Sequence, residues 1–273
     1  MLSERKLILL LFLLIITFIG CSEDENPVTP PDPFEGLTKI SEAYATGAGM
    51  KVQLWAKTSL FVGYNNLYIA VMDSATGNFV TDAHIHLEPM MDMGTMQHSA
   101  PFENPSSTLA VNSLFPCSVV FIMSSMGGTW KLNVEVHNHT TNKEGTASIP
   151  VTVSEVTPPV MKSIVALNDS SKLFISYLKP SKLNVGINDF EITIHKRMNM
   201  MNFPADSGYT IVLTPEMPSM GHGSPNNVDP VHSGNGHYKG KVNFTMTGDW
   251  RLNLDIFKNG EVVDTTMYFD VKL

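Results

Sequence analysis

The sequence predicts an all-β protein made of two tandem immunoglobulin-like antiparallel β-sandwiches. The first observation is alternation: Trp250, Leu252 and Leu254 fall on one side of a segment and polar residues on the other, as in a half-buried strand. The second is that the same pattern occurs earlier, because residues 128–136 match residues 248–256. The third is that no segment shows a sustained helical period.

A second pair of matching segments defines the domains. Residues 60–71 match residues 183–194, in the same order and at nearly the same spacing as the first pair, which indicates a duplicated domain. Short strands between Gly, Pro, Asn and Asp turns favour sandwiches of about seven strands each. The further predicted strands are 51–56, 83–87, 119–123, 147–153, 173–178, 209–213, 241–246 and 267–271. We predict a first repeat over 37–155, a linker over 156–160 and a second repeat over 161–273.

The N-terminus has the layout of a signal peptide. Arg5 and Lys6 precede an apolar run over 7–19, which is shorter than the roughly 20 residues that span a bilayer as a helix. The following Gly20-Cys21 resembles the lipobox of bacterial lipoproteins, which implies removal of residues 1–20 and lipidation of Cys21. Residues 21–36 are rich in Pro and acidic residues and are predicted to be a disordered tether. We therefore expect a protein held to a membrane of the cell envelope, on the periplasmic side or the surface of the outer membrane.

Composition excludes several functions. The net charge is −8 without a basic stretch, so nucleic acid is not an expected partner. Cys117 is the only cysteine besides Cys21, so a disulfide framework is excluded, and Cys117 is expected to be buried. No hydrolase elbow, zinc-protease or phosphate-loop motif occurs, and we predict that the protein is not an enzyme.

Methionine and histidine cluster between the matched segments. The first repeat contains Met90, Met91, Met93, Met96 and His98, and the second contains Met217, Met220 and His222, with His237 following. Because these residues are interleaved with Pro, Gly and Asp, we expect them to lie outside strand interiors and to be accessible. Thioether and imidazole together suit copper better than zinc or the hard cations, and a thioether needs no deprotonation and escapes disulfide formation. These residues are therefore candidate copper ligands.

The ligand set can be read in more than one way. Met93, Met96 and His98 align with Met217, Met220 and His222, but Met90 and Met93 can be placed on Met217 and Met220 instead. Two thioethers and one imidazole favour Cu(I) over Cu(II), and further imidazoles could complete a Cu(II) site; these are His84, His86, His232 and His237. A third cluster, Met198-Asn-Met200-Met201, follows the strand that ends near His195. Alternatively, the methionines cap the sandwiches as an apolar surface.

The second repeat contains four characteristic motifs: Val-Gly-x-Asn from residue 185, Met217-Pro-Ser-Met220-Gly-His222-Gly, Gly-His237-Tyr, and Met-Thr-Gly-Asp-Trp250-Arg-Leu. With these motifs the repeat resembles the YtkA-like domain family. The first repeat is a degenerate copy with Met-Gly-Thr-Met96-Gln-His98 and without the Gly-x-Tyr element. The resemblance implies exported β-sandwich domains that take part in copper handling or metal efflux, with no enzyme activity. The sequence thus predicts a copper-binding lipoprotein for buffering, delivery or efflux, working with efflux or copper-assembly proteins; the alternative is a metal-free structural or partner-binding protein.

Overall fold

The computed structural model describes residues 32–273, so the predicted signal peptide, Cys21 and most of the tether lie outside the described residues. The first sandwich contains β1 (Thr38–Ala45), β2 (Met50–Ala56), β3 (Gly63–Asp73), β4 (Ala83–Asp92), β5 (Gln97–His98), β6 (Phe102–Glu103), β7 (Phe115–Phe121), a 3-10 helix (Ser125–Gly127), β8 (Thr129–Asn138) and β9 (Lys143–Val151). The second contains β10 (Met161–Val165), β11 (Lys172–Tyr177), β12 (Gly186–Lys196), β13 (Tyr209–Met217), β14 (His222–Gly223), β15 (Val228–Gly234), β16 (His237–Phe244), β17 (Asp249–Lys258) and β18 (Glu261–Lys272). Within 32–273 no helix is long and apolar enough to cross a membrane.

The two sandwiches have the same topology. In the first, a five-stranded sheet β1-β2-β3-β7-β6 packs on a four-stranded sheet β5-β4-β8-β9. In the second, the corresponding sheets are β10-β11-β12-β16-β15 and β14-β13-β17-β18. All strand pairs within these sheets are antiparallel. The all-β fold class is therefore confirmed.

Alternating strands build the core of each sandwich. Along β17 the side chains of Trp250, Leu252 and Leu254 are buried between the sheets, and the residues between them are partly exposed. Strand β8 repeats this pattern from Trp130 onward. Full burial of one such aliphatic side chain contributes roughly 1.5–3 kcal/mol, so these strands supply much of the driving force for folding. Both tryptophans are fully buried in the cores of their sandwiches.

The Val-Gly-x-Asn motif fixes the turn before a central strand in each sandwich. Asn65 accepts a hydrogen bond from Phe61 N at 3.1 Å and donates from Nδ2 to the carbonyl oxygens of Phe61 and Gly63, both at 2.8 Å. Asn188 makes the same three bonds at the start of β12, at 2.7 to 3.0 Å. The intervening Gly63 and Gly186 have φ of 137° and 103°, which favours glycine. The Asn side chain of the motif thus stabilises the backbone turn through three hydrogen bonds in each sandwich.

Six strands were not predicted from the sequence, namely β1, β10 and β15 and the two-residue strands β5, β6 and β14. Most side chains of β1, β10 and β15 are exposed or only partly buried, so their sequences lack the apolar alternation that marks a core strand. They pair with β2, β11 and β16 at the edges of the five-stranded sheets.

The two sandwiches belong to one compact unit over Gly36–Leu273. Phe174 of β11 and Phe203, from the loop after β12, stack edge to face at 5.6 Å and pack into the core cluster of the first sandwich. The short linker between the sandwiches has a cis peptide bond at Thr157-Pro158. One sheet face of the second sandwich therefore rests on the first sandwich.

Candidate metal centre

Two hairpins with the same pairing place the candidate ligands. Met91 of β4 pairs with His98 of β5, and Met217 of β13 pairs with His222 of β14. His98 and His222 are therefore equivalent, as the first alignment predicts, but the methionine equivalent to Met217 is Met91 and neither alignment is right there. The connection between the paired residues is two residues longer in the first hairpin than in the second. An alignment without a gap therefore cannot match both the methionine and the histidine of the two hairpins.

The most complete candidate centre lies at the end of the first sandwich. The His98 imidazole is buried, and its Nδ1 donates a hydrogen bond to the carbonyl oxygen of Ser99 at 2.7 Å. A neutral imidazole in this tautomer has no hydrogen on Nε2. Nε2 faces the Met123 Sδ atom at 3.1 Å, and a thioether has no hydrogen either. In the neutral form of this tautomer, the two atoms that face each other each carry a lone pair.

A second thioether and an indole complete this group. A side-chain carbon added at Gly127 would lie 2.4 Å from Met123 Cε and 3.9 Å from Met91 Cε, so both methionines converge beside this glycine. The ring of Trp130 meets that of His98 edge to face at 5.4 Å, and its Nε1 donates to the Met123 carbonyl oxygen at 3.0 Å. The indole therefore fixes the backbone of the methionine that faces the histidine.

The second sandwich repeats the arrangement with a more open edge. His222 and Trp250 meet edge to face at 5.9 Å, and the indole Nε1 donates to the Met246 carbonyl oxygen at 3.1 Å. A carbon added at Gly248 would lie 2.6 Å from Met217 Cε, so this thioether also lies beside a glycine. Met246 is partly exposed here, whereas its counterpart Met123 is partly buried against the core.

The donor set fits a soft metal ion. Metal–nitrogen and metal–sulfur bonds of roughly 2.0 and 2.3 Å, as in zinc sites, separate the two donor atoms by about 3.1 to 3.7 Å for bond angles between 90° and 120°. The separation of His98 Nε2 and Met123 Sδ lies at the lower end of this range. Among residues 32–273 no group of three His, Cys, Asp or Glu side chains could hold a metal ion. The donors that converge at the first centre are the thioethers of Met91 and Met123 and the imidazole of His98. Such donors favour Cu(I).

The expectation that all the clustered residues are accessible is wrong for part of the set. Met93, Met96 and Met220 are exposed at 37%, 51% and 59%. Met91, His98 and Met217 are buried at 0%, 4% and 4%, because they lie in strands whose inward side faces the core. Met90 is next to Met91 in β4 and therefore points to the opposite face of the sheet.

His237 lies away from the second hairpin. It begins β16, whereas Phe244 at the other end of β16 contacts Trp250 at 5.4 Å; seven residues of strand separate them by about 23 Å. His237 Nε2 donates to Glu103 of the first sandwich at 2.7 Å, and Nδ1 donates to Glu191 at 2.6 Å. Burial disfavours the charge, but these two carboxylates outweigh it and raise the pKa of His237. The structure therefore joins His237 to the contact between the sandwiches.

The other predicted histidines are dispersed. His86 Nδ1 accepts a hydrogen bond from Asn104 at 2.9 Å, and the ring of His232 lies against Tyr238 at 5.2 Å. His84 lies in β4 opposite His137 of β8. None of these three pairs with the hairpin residues Met91 or Met217 in the sheet registers.

Sequence reasoning missed Met123 and Met246. Their shared feature is that each precedes the matched tryptophan and accepts its indole hydrogen bond. The spacing differs, since seven residues separate Met123 from Trp130 but only four separate Met246 from Trp250. A search for a methionine shortly before each matched tryptophan would have found both.

Comparison with known proteins supports the fold of the second sandwich. Residues 174–255 match the model of the YtkA-like family, so the predicted resemblance of the second sandwich is confirmed. No curated protein matches the sequence. A crystal structure of a DUF4785 family protein from Legionella pneumophila is similar, with 11% identity and a TM-score of 0.27, over 83% of this chain and 56% of that chain. The chain thus spans little more than half of that protein.

Proposed function

We propose that the protein is a copper-binding lipoprotein that holds Cu(I) at the ends of its two sandwiches, for buffering, delivery or efflux and without enzymatic activity. The observation that carries the proposal is the geometry of the first centre, in which His98 Nε2 faces Met123 Sδ at 3.1 Å while Nδ1 is bonded to the carbonyl oxygen of Ser99. In the first sandwich the ligands are Met91, His98 and Met123. In the second they are Met217, His222 and Met246, with the exposed Met220 at the rim.

Burial of the first site supports a monovalent ion. A doubly charged ion without carboxylate ligands would carry its full charge into an apolar end of the core, at a high cost in solvation. Cu(I) has half that charge and prefers few, soft ligands. The indole ring of Trp130 beside His98 adds a π face or edge that excludes water from the same space.

The location of the protein follows from its N-terminal motif. Lipidation at Cys21 would hold the sandwiches in the cell envelope, outside the cytoplasm, where exposed thiols tend to be oxidised. Copper-efflux or copper-assembly proteins in the same compartment are the proposed partners. An imidazole and two thioethers form a copper site that persists under these conditions.

A competition titration tests this function. The purified protein is titrated with Cu(I) in the presence of a colorimetric Cu(I) chelator, and we expect one tightly bound equivalent at each of the two end sites. The double variant Met91→Leu and Met123→Leu should lose one of them, and Met217→Leu with Met246→Leu should lose the other. Leucine replaces methionine at nearly constant volume, typically for less than about 1.5 kcal/mol, so the fold is retained.

The matched control is Met72→Leu. Gly63 begins β3, and Met72 lies near the other end of this strand. Gly63 pairs with Phe121, and the Phe121 ring contacts Trp130 at the first site. Nine residues of strand, about 30 Å, therefore separate Met72 from that site. This variant should bind as many equivalents as the wild type. Failure of the wild type to compete with the chelator would refute the copper function and leave the methionines as an apolar cap.

A further inference from the structure

The third methionine cluster is held in a fixed loop against the first sandwich. Within the loop, Met198 N donates to Asn202 O at 3.0 Å and Met201 N donates to Asn199 Oδ1 at 2.8 Å. Across the junction, Ser99 N donates to Met200 O at 2.8 Å. Ser99 is also the residue whose carbonyl oxygen orients His98. The loop of one sandwich is thus bonded to the segment that positions the candidate ligand of the other.

A cleft of about 340 Å³ opens beside this loop and is lined by both sandwiches. Its walls include Phe102, Glu103 and Asn104 from the first sandwich, and His195 and Met201 from the second. His195 is buried, and its Nδ1 has no hydrogen-bond partner. An unsatisfied buried polar atom costs roughly 1–3 kcal/mol, so a native structure that retains one calls for an explanation.

The cleft is lined by an imidazole and the thioether of Met201, and Met200 precedes Met201 in the same loop. Burial lowers the pKa of His195 to about 4, so its ring is uncharged near neutral pH and keeps a lone pair. Met200 and Met201 are exposed at 37% and 47%, although their backbone is fixed by the loop bonds. The carboxylate of Glu103 is already bound by His237 and Tyr64, which leaves no free carboxylate at this wall for a hard cation.

We propose a third soft-metal site at the junction of the sandwiches, in which His195 and the thioethers of Met200 and Met201 bind a monovalent ion such as Cu(I). The proposal extends the copper function given above and rests on it for the identity of the natural ion. Unlike the two end sites, this one draws on the contact between the sandwiches: the loop that carries its thioethers is fixed by Ser99 of the other sandwich. It is also solvent-facing and adjacent to His98, so it is placed to receive an ion before the buried site does.

Methionine-methyl NMR with Ag(I) tests the proposal. Ag(I) is a redox-stable substitute for Cu(I), and the intact protein labelled at the methionine methyl carbons reports each thioether separately. Signals are assigned by single Met→Leu variants. We expect the Met200 and Met201 signals to shift with saturation at a defined equivalent, in addition to shifts of Met91, Met123, Met217 and Met246. The Met72 signal should stay in place.

The histidine variant separates a built site from loose thioether binding. In His195→Gln the Met200 and Met201 shifts should require at least about tenfold more Ag(I), since loss of a supporting partner alone weakens metal sites roughly 10–100-fold. If His195→Gln fails to fold, Asn replaces Gln, and the double variant Met200→Leu and Met201→Leu should bind one equivalent less than the wild type by calorimetry.

Each outcome decides between the two proposals. Unmoved Met200 and Met201 signals, while the end-site signals shift, would overturn the junction site and leave the copper function standing. Equal shifts in wild type and the His195 variant would also overturn it, since the binding would then be adventitious. Shifts confined to Met200 and Met201 would support the junction site and refute the end sites.

Discussion

Replacing His237 by glutamine should weaken the contact between the sandwiches and reduce the pH dependence of the protein's stability. The imidazole bridges Glu103 and Glu191, and the three side chains are exposed at only 14%, 25% and 26%. Removing one partner of a fully buried ion pair costs about 3–5 kcal/mol, whereas an exposed pair contributes about 0–1 kcal/mol. With roughly three quarters of each group buried, we expect His237→Gln to lower the free energy of unfolding by about 2 kcal/mol. In a chain of this length that lowers Tm by roughly 4–8 °C.

The pH dependence has a defined sign. The pKa of His237 is raised above its usual 6.5, so its stabilisation is complete below about 6.5 and is lost as pH rises through the raised value. Burial tends to raise the pKa of Glu103, but the bonds from His237 and Tyr64 outweigh it and lower it below 4.5. The contribution of Glu103 is therefore complete above about 4.5 and is lost as pH falls through the lowered value. The difference between wild type and His237→Gln should be largest between these limits.

Thermal unfolding followed by circular dichroism at several pH values measures this difference. The control is Lys241→Gln, which removes the exposed pair between Lys241 and Asp189 and should change stability by less than about 1 kcal/mol. A difference between wild type and His237→Gln that stays constant from pH 5 to 9 would refute the ion-pair reasoning, because it would show that packing alone is lost.

Three further predictions concern the fold around the sites. Asn65→Ala and Asn188→Ala should each cost about 2–3 kcal/mol in urea denaturation, since either change leaves a backbone donor and two carbonyl oxygens without their bonds; a cost below 0.5 kcal/mol would contradict this. Gly128→Ala should destabilise the first hairpin and weaken its metal binding in the chelator titration, because the new carbon would lie 2.3 Å from Asp92 O. Cys117 should react with a thiol reagent only after unfolding, because burial raises its pKa; rapid native labelling would disprove it.

Much of the fold follows from local pattern. The alternation that begins at Trp250 and the matching segments around Asn65 and Asn188 are visible in the sequence because each depends on residues within a few positions of one another. Edge strand β1 was missed because its side chains are mostly exposed and its pairing is satisfied by the backbone alone.

The candidate site was predictable only in part. His98 and His222 carry a recognisable motif, but burial of Met91 and Met217 depends on strand phase, and a one-residue change of phase reverses which methionine faces the core. The contact of His237 with Glu103 joins residues 134 positions apart, and no local pattern specifies such a pair. Loop contacts such as Ser99 with Met200 are invisible for the same reason.

The hydrogen bonds from Trp130 and Trp250 to Met123 and Met246 give each of the two candidate centres its own optical probe. Of the three tryptophans in the chain, only Trp55 lies elsewhere, in β2 of the first sandwich. A heavy ion bound beside either indole would quench its fluorescence without any added label. In a Trp55→Phe background, the Trp130→Phe variant would show tryptophan fluorescence from the second sandwich only, and the Trp250→Phe variant from the first only. The order in which the two candidate centres bind the ion could therefore be followed in real time.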